Sequence, residues 1–214
     1  MSTYSVEAIK LNKTFGRRLI FNDINFRLDE PGIFGISGPN GSGKSTLVKI
    51  IAGLLSSTKG KISHKNSEKE IIPEKLHNYI GFVSPYLVLY EEFSAWENLQ
   101  YFSKIRGITF DKDYAKDLLE RFLLYNRRKD LVKTYSSGMK QRMKFIFALI
   151  HHPELLIFDE PTSNLDDEGK KSVYNIINDK SKENILIIAS NDKSDLDLCS
   201  EVLDLKVSNN KINN

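Results

Sequence analysis

Four short runs of almost entirely apolar residues recur along the 214-residue chain. They are GIFGIS (32–37), YIGFV (79–83), LLIFDE (155–160) and ILIIAS (185–190). A strand that is buried on both faces of a parallel sheet has a continuous hydrophobic run of this kind. The pattern therefore predicts four strands.

Apolar residues also recur at helical spacing in three segments. Segments 46–55 and 139–152 each place apolar side chains on one helical face, and 92–126 is predicted to be helical. The residues that define the spacing are Leu47, Ile50, Ile51 and Leu54; Met139, Met143, Ile146, Phe147 and Ile150; Trp96, Leu99, Phe102 and Ile105; and Leu118, Leu119, Phe122 and Leu123. Strand–helix alternation over 136–207 indicates the α/β class.

Other segments differ from this alternation. Residues 4–36 have Asn and Asp turns between apolar stretches, which predicts short strands in an antiparallel N-terminal part. Residues 56–75 are polar and predict a solvated hairpin region. The final residues SNNKINN (208–214) are polar, and we expect a frayed end there.

The sequence GPNGSGKST (38–46) lies between a predicted strand and a predicted helix and meets the pattern G-x-x-x-x-G-K-[ST]. Its glycines allow backbone N–H groups to point inward around phosphate, and the helix N-terminus adds positive charge. Lys44 is placed to reach the β- and γ-phosphates, and Ser45 to bind Mg²⁺. The alternative is a chance glycine-rich turn. The predicted nucleotide-binding residues here are Gly38, Pro39, Asn40, Gly41, Ser42, Gly43, Lys44, Ser45 and Thr46.

Two carboxylates follow the apolar run at 155–158. Ligands bind at the carboxyl ends of parallel strands, so Asp159 is predicted to hold Mg²⁺. Glu160 is the candidate base or orienting group for an attacking water. The alternative is a strand that ends at a solvated Asp-Glu-Pro turn.

Ser136, Ser137 and Gly138 precede the helical segment 139–152. Ser and Gly at a helix start favour a second anion site, because the first N–H groups of a helix have no intrahelical partner. Ordinary helix capping is the alternative.

Taken together, these motifs resemble the ATP-binding cassette family, the nucleotide-binding domain of ABC transporters. GPNGSGKST matches the Walker A motif of the family, LLIFDE its Walker B motif with the catalytic Glu, and SNLD (163–166) its D-loop. YSSGMKQR (135–142) is similar to its signature LSGGQ-x-Q-R. The resemblance implies a P-loop NTPase fold: a RecA-like core with a mainly parallel sheet, an N-terminal antiparallel β part and an inserted helical subdomain. A single domain 1–214 is then expected, with 1–84 and 136–214 as core and 85–135 as helical subdomain.

The resemblance also implies how the site works. In the family, ATP and Mg²⁺ bind between two cassettes, and the signature of one subunit contacts the γ-phosphate bound to the other. Ser136 and Gly138 are the predicted contacts. Adenine stacks on an aromatic residue upstream of Walker A, a position that Phe15 matches; the alternative for Phe15 is a core aromatic.

Two positions depart from the family pattern. Pro85 stands where the Q-loop Gln is expected, and it has no side-chain oxygen. Asn191 stands where the switch His is expected, and it can donate a hydrogen bond but cannot take up a proton at neutral pH. Capping of a following helix is the alternative for Asn191. The replacements Ser137 and Met139 in the signature are milder. These departures put the hydrolysis rate in question more than ATP binding.

Composition limits the expected partners and cellular location of the protein. The net charge is +3 with basic residues spread along the chain, so no nucleic-acid partner is expected. No apolar run reaches the ~18 residues of a spanning helix, no signal peptide is recognised, and the single Cys199 excludes an internal disulfide. We expect a cytoplasmic protein that is peripheral on the inner face of the cell membrane.

The predicted function is an ATP-hydrolysing subunit that dimerises, as a homodimer or with a paired cassette, to drive a separate membrane permease. Small bacterial export cassettes are similar, among them the haem-exporter ATPase of cytochrome c maturation. The alternative is a nucleotide-gated clamp that hydrolyses ATP slowly, suggested by Pro85 and Asn191. The apolar segment PYLVLYEEF (85–93) is predicted to dock the permease, unless Tyr86, Leu87 and Leu89 belong to the core.

Overall fold

The computed structural model describes residues 4–205, which form two β-sheets and six helices with short 3₁₀ turns. The predicted frayed end, SNNKINN, lies outside the described residues. The strands are β1 (Tyr4–Phe15), β2 (Arg18–Leu28), β3 (Gly32–Ser37), β4 (Lys59–Asn66), β5 (Lys69–Glu70), β6 (Ile80–Val83), β7 (Leu155–Asp159), β8 (Ile185–Ala189) and β9 (Glu201–Asp204). The helices are α1 (Lys44–Ile51), α2 (Ala95–Ile105), α3 (Lys112–Arg121), α4 (Ser137–Leu149), α5 (Asp167–Lys180) and α6 (Lys193–Leu196).

The first sheet is antiparallel, with strand order β2-β1-β4-β5. Its first two strands are long rather than short as predicted, with 12 and 11 residues. They are joined by a tight turn in which Gly16 has a φ of 57°. A second difference from the prediction is that 32–37 does not belong to this antiparallel part, because β3 pairs in parallel with β8 and β9.

The second sheet is parallel, with strand order β6-β7-β8-β3-β9. The four apolar runs form β3, β6, β7 and β8, so the strand predictions are confirmed. Every residue of β7 and β8 is buried. Because all five strands run in the same direction, their carboxyl ends meet at one edge of the sheet, where ligands bind in such folds.

Alternate residues of β7 point to opposite faces of the parallel sheet. Leu155 and Ile157 pack in the core that includes β1 and α1, whereas Leu156 and Phe158 pack in the core that includes α2 to α5. Hydrophobic cores on both faces of the parallel sheet therefore fix the edge at which the carboxyl ends of its strands meet. The predicted P-loop fold with an antiparallel N-terminal part is confirmed.

The predicted helical segment 92–126 contains two helices, α2 and α3, instead of continuous helical structure. Ser94 and Glu97 form a capping box at the start of α2. Three residues assigned to apolar helical faces are exposed: Leu54 by 65%, beyond the end of α1, Ile105 by 72% and Leu123 by 46%. Leu123 has a φ of 59°, so it lies beyond the end of α3. The subdomain bounds 85–135 stay a prediction. Within residues 4–205, no helix is long and apolar enough to cross a membrane.

Candidate nucleotide-binding site

The glycine-rich loop between β3 and α1 leaves the start of the helix open. Gly43 is the N-cap residue of α1 and provides no side-chain bond to the first turn. Its φ is 107°, and a Cβ there would lie 2.6 Å from Ile20 Cγ2. A Cβ on Gly38 would lie 2.5 Å from Ser42 Oγ. Only glycine fits at both positions, and the N–H groups of the first helical turn remain available to an anion.

Lys44, the first residue of α1, points its ammonium into this loop. Its Nζ donates to the Gly38 carbonyl at 2.8 Å and lies 3.4 Å from Glu160 Oε1. The residue is only 5% exposed. A buried ammonium beside free helix N–H groups is a site of positive potential, which suits a polyphosphate.

Ser45 and Asp159 form the other side of the site. Ser45 Oγ donates to Asp159 Oδ1 at 3.0 Å, across the junction between α1 and the end of β7. Asp159 is fully buried, and its Oδ2 has no hydrogen-bond partner in the part of the chain that is described. Burial raises the pKa of the Asp159 carboxyl, while the bond from Ser45 and the charges of Lys49 and Lys44 oppose that rise.

This donor set fits a magnesium ion. A buried carboxylate oxygen without a partner is energetically costly, and a hard cation would satisfy it. Among residues 4–205, no group of three or more His, Cys, Asp or Glu side chains could hold a metal alone. A cation between Ser45 and Asp159 would therefore need further oxygens, which nucleotide phosphates provide.

Glu160 occupies an unusual backbone conformation immediately after β7. Its φ is 52°, in the left-handed region that non-glycine residues rarely adopt, and its N–H donates to the Ala189 carbonyl at 2.9 Å. The carboxylate lies between Lys44 and Ser190, whose Oγ is 3.4 Å from Glu160 Oε2. Backbone strain of this kind is typical of functional sites.

A cavity of about 430 Å³ lies over these groups. Its volume is in the range of small-molecule sites. The structure brings nine of the sequence-selected residues to its wall: Phe15, Asn40, Gly41, Gly43, Lys44, Ser45, Thr46, Pro85 and Glu160.

Phe15 lies at the rim of this cavity and is 50% exposed. The alternative that it is a core aromatic is therefore wrong. The Lys13 ammonium lies 4.7 Å from the centre of one face of its ring. Enough ring surface is exposed for a base to stack on it.

Three cavity residues were not predicted: Arg18, Ile20 and Tyr86. Arg18 follows Phe15 across the Gly16 turn, and Tyr86 follows Pro85. Their proximity in sequence to predicted site residues could have indicated both. The Lys49 ammonium lies 4.6 Å from the centre of the Tyr86 ring. Pro85 itself reaches the cavity wall and brings no polar side chain there.

Asn191 lies just beyond β8, and its Nδ2 donates to Asn40 Oδ1 at 3.1 Å. The alternative that Asn191 caps the next helix is wrong. Asp192 is the N-cap residue of α6, and its Oδ1 accepts from the Ser194 N–H at 2.8 Å. The Asn191 amide is thus tied to the glycine-rich loop.

The signature segment lies elsewhere. Ser136 caps α4 by accepting from the Met139 N–H at 3.2 Å, which confirms the capping interpretation without testing the second anion site. Neither Ser136 nor Gly138 lines the cavity over the loop among the described residues. Gly138 packs closely on the D-loop, where a Cβ would lie 3.2 Å from the Asn164 carbonyl.

Comparison with known proteins identifies the family. The sequence profile described as ABC transporter matches residues 21–163. The chain belongs to the ABC transporter family. The linearmycin resistance ATP-binding protein LnrL of Bacillus subtilis is 34% identical over 185 residues, which cover 86% of this chain and 60% of LnrL. The lantibiotic transport ATP-binding protein SrtF of Streptococcus pyogenes is 35% identical over 180 residues, 84% of this chain and 76% of SrtF.

A solved ATP-binding subunit of an ABC transporter has the same fold. It superposes with a TM-score of 0.80 at 25% identity, over 93% of this chain and 85% of its own. The predicted family and fold are confirmed. The chain spans 60% and 52% of the length of two of its curated Bacillus subtilis relatives. The resemblance to haem exporters stays a prediction.

Proposed function

We propose that this chain is the ATP-binding and ATP-hydrolysing subunit of an ABC transporter. The observation that supports this most directly is the convergence of Lys44, Glu160 and the Ser45–Asp159 pair at the open start of α1. Lys44, Ser45 and Glu160 line the cavity, and the buried Asp159 oxygen without a partner lies next to Ser45. This is the set of groups that binding and hydrolysis of a nucleoside triphosphate require.

The geometry of the cavity supports the proposed ATP binding. The adenine would stack on Phe15, and the phosphates would accept from the N–H groups of 43–46. Lys44 would then turn from the Gly38 carbonyl to the β- and γ-phosphates. Ser45 Oγ and Asp159 would hold Mg²⁺, which neutralises phosphate charge when bound.

Hydrolysis would depend on Glu160 and Asn191. The Glu160 carboxylate would accept a hydrogen bond from the attacking water and orient it towards the γ-phosphate. Asn191, already in contact with Asn40 of the loop, would donate its amide to the γ-phosphate. Both side chains follow neighbouring strands, β7 and β8, which are held in parallel register.

We propose that the active form is a homodimer or a pair of cassettes. Ser136 and Ser137 are exposed at the N-terminus of α4 but lie outside the cavity of their own chain. A second cassette would bring this helix start to the γ-phosphate, where its dipole and N–H groups stabilise negative charge.

The proposed partner is a membrane-embedded permease, which would keep this subunit at the inner face of the membrane. The segment 85–93 exposes Tyr86 by 72%, Val88 by 85% and Tyr90 by 58%. The alternative that Tyr86, Leu87 and Leu89 belong to the core holds for Leu89, which is 6% exposed, and is wrong for Tyr86. Leu87 is partly buried against the core. An apolar cavity of about 240 Å³ lies beside it, lined in part by Leu54, Leu87 and Phe102. Exposed apolar surface of this extent favours a protein partner.

The names of LnrL and SrtF, linearmycin resistance and lantibiotic transport, favour an antimicrobial compound as the transported class. The slow clamp is the second candidate, because Pro85 lines the cavity without a polar side chain. The relatives do not favour it, and the turnover number of the purified chain would separate the two functions.

The test of the proposed function is calorimetric titration with ATP·Mg²⁺ and an ATPase assay on the same protein. Lys44→Ala should weaken ATP binding by about ten- to a hundredfold, since a hydrogen bond to a charged group contributes roughly 1.5–3 kcal/mol. Lys104→Ala, at an exposed lysine of α2, should bind like the wild type. Equal affinity of the Lys44 variant and the wild type would refute the assignment.

A further inference from the structure

Asp195 is a buried carboxylate that the proposed mechanism does not use. It lies on α6 behind the nucleotide site and is 1% exposed. Its oxygens accept from three hydroxyl groups. Thr162 Oγ1 lies 3.0 and 3.2 Å from the two oxygens, Tyr174 OH donates to Oδ1 at 2.9 Å, and Ser190 Oγ donates to Oδ2 at 2.7 Å.

The partners of this carboxylate are unusual for a buried charge. Buried carboxylates are normally compensated by a cation, but among residues 4–205 the structure pairs Asp195 with hydroxyl groups and shows no ion pair to it. Hydrogen bonds to a charged acceptor are stronger than neutral ones. Burial, and then the bond to Asp195, raise the pKa of Tyr174.

The three donors come from three different elements. Thr162 follows the end of β7, Tyr174 belongs to α5, and Ser190 follows the end of β8. One carboxylate therefore ties together the two segments that leave the site edge of the parallel sheet, and fastens both to α5.

These two segments contain the residues proposed to act in hydrolysis. Thr162 lies two residues after Glu160, and Ser190 immediately precedes Asn191. Ser190 Oγ also lies 3.4 Å from Glu160 Oε2, a longer contact than its 2.7 Å bond to Asp195. The single hydroxyl proton of Ser190 is directed to Asp195, which fixes the position of the Ser190 oxygen beside Glu160.

We propose that Asp195 is a positioning residue for ATP hydrolysis, which holds the segments of Glu160 and Asn191 in their mutual arrangement. This inference rests on the proposed function. Because misplacement of a reacting group by about 1 Å can lower a rate by roughly a hundredfold, a loosened Glu160 or Asn191 should affect turnover. ATP binding should not change, since no bond of Asp195 reaches the loop 38–46 or Phe15 among the described contacts.

The main variant is Asp195→Asn in the full chain, in which one acceptor oxygen is replaced by an NH2 group that cannot accept from the hydroxyls. We expect kcat to fall by about ten- to a hundredfold, with the Kd for ATP·Mg²⁺ within about twofold of wild type. Asp197→Asn, at an exposed carboxylate two residues further on, is the matched control and should leave both unchanged.

Thr162→Val is the second variant. It tests the role of Asp195 if Asp195→Asn fails to fold, which the absence of a cooperative unfolding transition would reveal. It removes one donor while keeping side-chain shape, and should lower kcat in the same selective way. In the double variant Asp195→Asn/Thr162→Val the two reductions in kcat should not add, because both substitutions disrupt the contact between Thr162 and Asp195.

The outcomes are distinct. Turnover at the wild-type rate in both variants would overturn the role of Asp195 and leave the proposed function intact. Equal losses in ATP affinity and kcat would indicate only a structural role and would also overturn it. Absence of hydrolysis in the wild-type protein under saturating ATP·Mg²⁺ would overturn the proposed function, and this inference with it.

Discussion

The Lys44 ammonium lies 3.4 Å from the Glu160 carboxylate while it donates to the Gly38 carbonyl at 2.8 Å. The group proposed to bind phosphate is thus paired with the group proposed to act on water. In the proposed mechanism, an incoming triphosphate would draw Lys44 away from both partners. Glu160 would then lose its cation and become available to the attacking water.

This relationship predicts the behaviour of Glu160→Gln. The amide keeps the shape of Glu160 but loses its charge and basicity, so turnover should stop. ATP affinity should be equal to or higher than that of the wild type, because Lys44 no longer has a competing carboxylate. Size-exclusion chromatography with ATP·Mg²⁺ should show a dimer.

The control for that experiment is Glu183→Gln, at an exposed glutamate, which should hydrolyse ATP like the wild type. Hydrolysis at the wild-type rate by Glu160→Gln would remove Glu160 from the catalytic step. A clear loss of ATP affinity would show that the Lys44–Glu160 pair supports the binding conformation instead of competing with phosphate.

Asp159→Asn should separate stability from metal binding. Burial raises the Asp159 pKa, so the folded protein holds that proton more tightly than the unfolded chain. This proton therefore stabilises the folded protein fully when the pH lies below the ordinary aspartate pKa of the unfolded chain. The stabilisation is lost as the pH rises through the raised pKa of the folded protein. At neutral pH the variant without nucleotide should therefore have a higher Tm than the wild type.

The same variant should lose the Mg²⁺ dependence of ATP binding, which calorimetry with and without Mg²⁺ would detect. At a pH below the ordinary aspartate pKa, its Tm should equal that of the wild type, because both side chains are then neutral. A lower Tm at neutral pH would contradict the electrostatic argument. An unchanged Mg²⁺ dependence would contradict the metal assignment.

Variants of Asn191 test its role as a donor to the γ-phosphate. Asn191→Ala should slow hydrolysis by about ten- to a hundredfold, the equivalent of one hydrogen bond to a charged group. Asn191→His should keep or raise the rate, and Asn191→Asp should be slower than Ala, since a carboxylate repels phosphate. Steady-state rates of the three variants provide the measurement, and an Asp variant as active as wild type would end this assignment.

Crosslinking tests the proposed docking surface. A cysteine at Val88 should crosslink in native membranes to a membrane-spanning protein identified by mass spectrometry, whereas one at buried Leu89 should not. Burial raises the pKa of Cys199 to about 11, so the native thiol reacts slowly and the wild-type background is suitable. Equal crosslinking from both positions, or no crosslinking from position 88, would show that the partner does not dock on segment 85–93.

The nucleotide loop and the two carboxylates were predictable from the sequence because their geometry is local. Residues 38–46 are contiguous, and a strand, a glycine-rich turn and a helix place Lys44 and Ser45 without reference to distant segments. Asp159 and Glu160 directly follow a buried strand, so the direction of the parallel sheet places them at the ligand edge.

Spacing was a weaker guide at helix ends and on exposed surfaces. Ile105 and Leu123 fit helical faces by period, yet both are exposed, because α2 and α3 end at Ile105 and Arg121. The same pattern cannot distinguish an apolar residue of the core from one on a partner surface. Val88 and Leu89 are adjacent and both apolar, and only burial in the folded chain separates them.

The sequence by itself predicted the family and the order of strands and helices around the loop, and it selected Lys44, Asp159 and Glu160 as the candidate chemical groups. Only the tertiary structure decided that Tyr86 reaches the nucleotide cavity and that Asp195 binds the hydroxyls of Thr162 and Ser190. The physical reason is that hydroxyl–carboxylate contacts between separate elements produce no periodic pattern along the chain. They exist only once the packing of β7, β8, α5 and α6 has brought those side chains within hydrogen-bond distance.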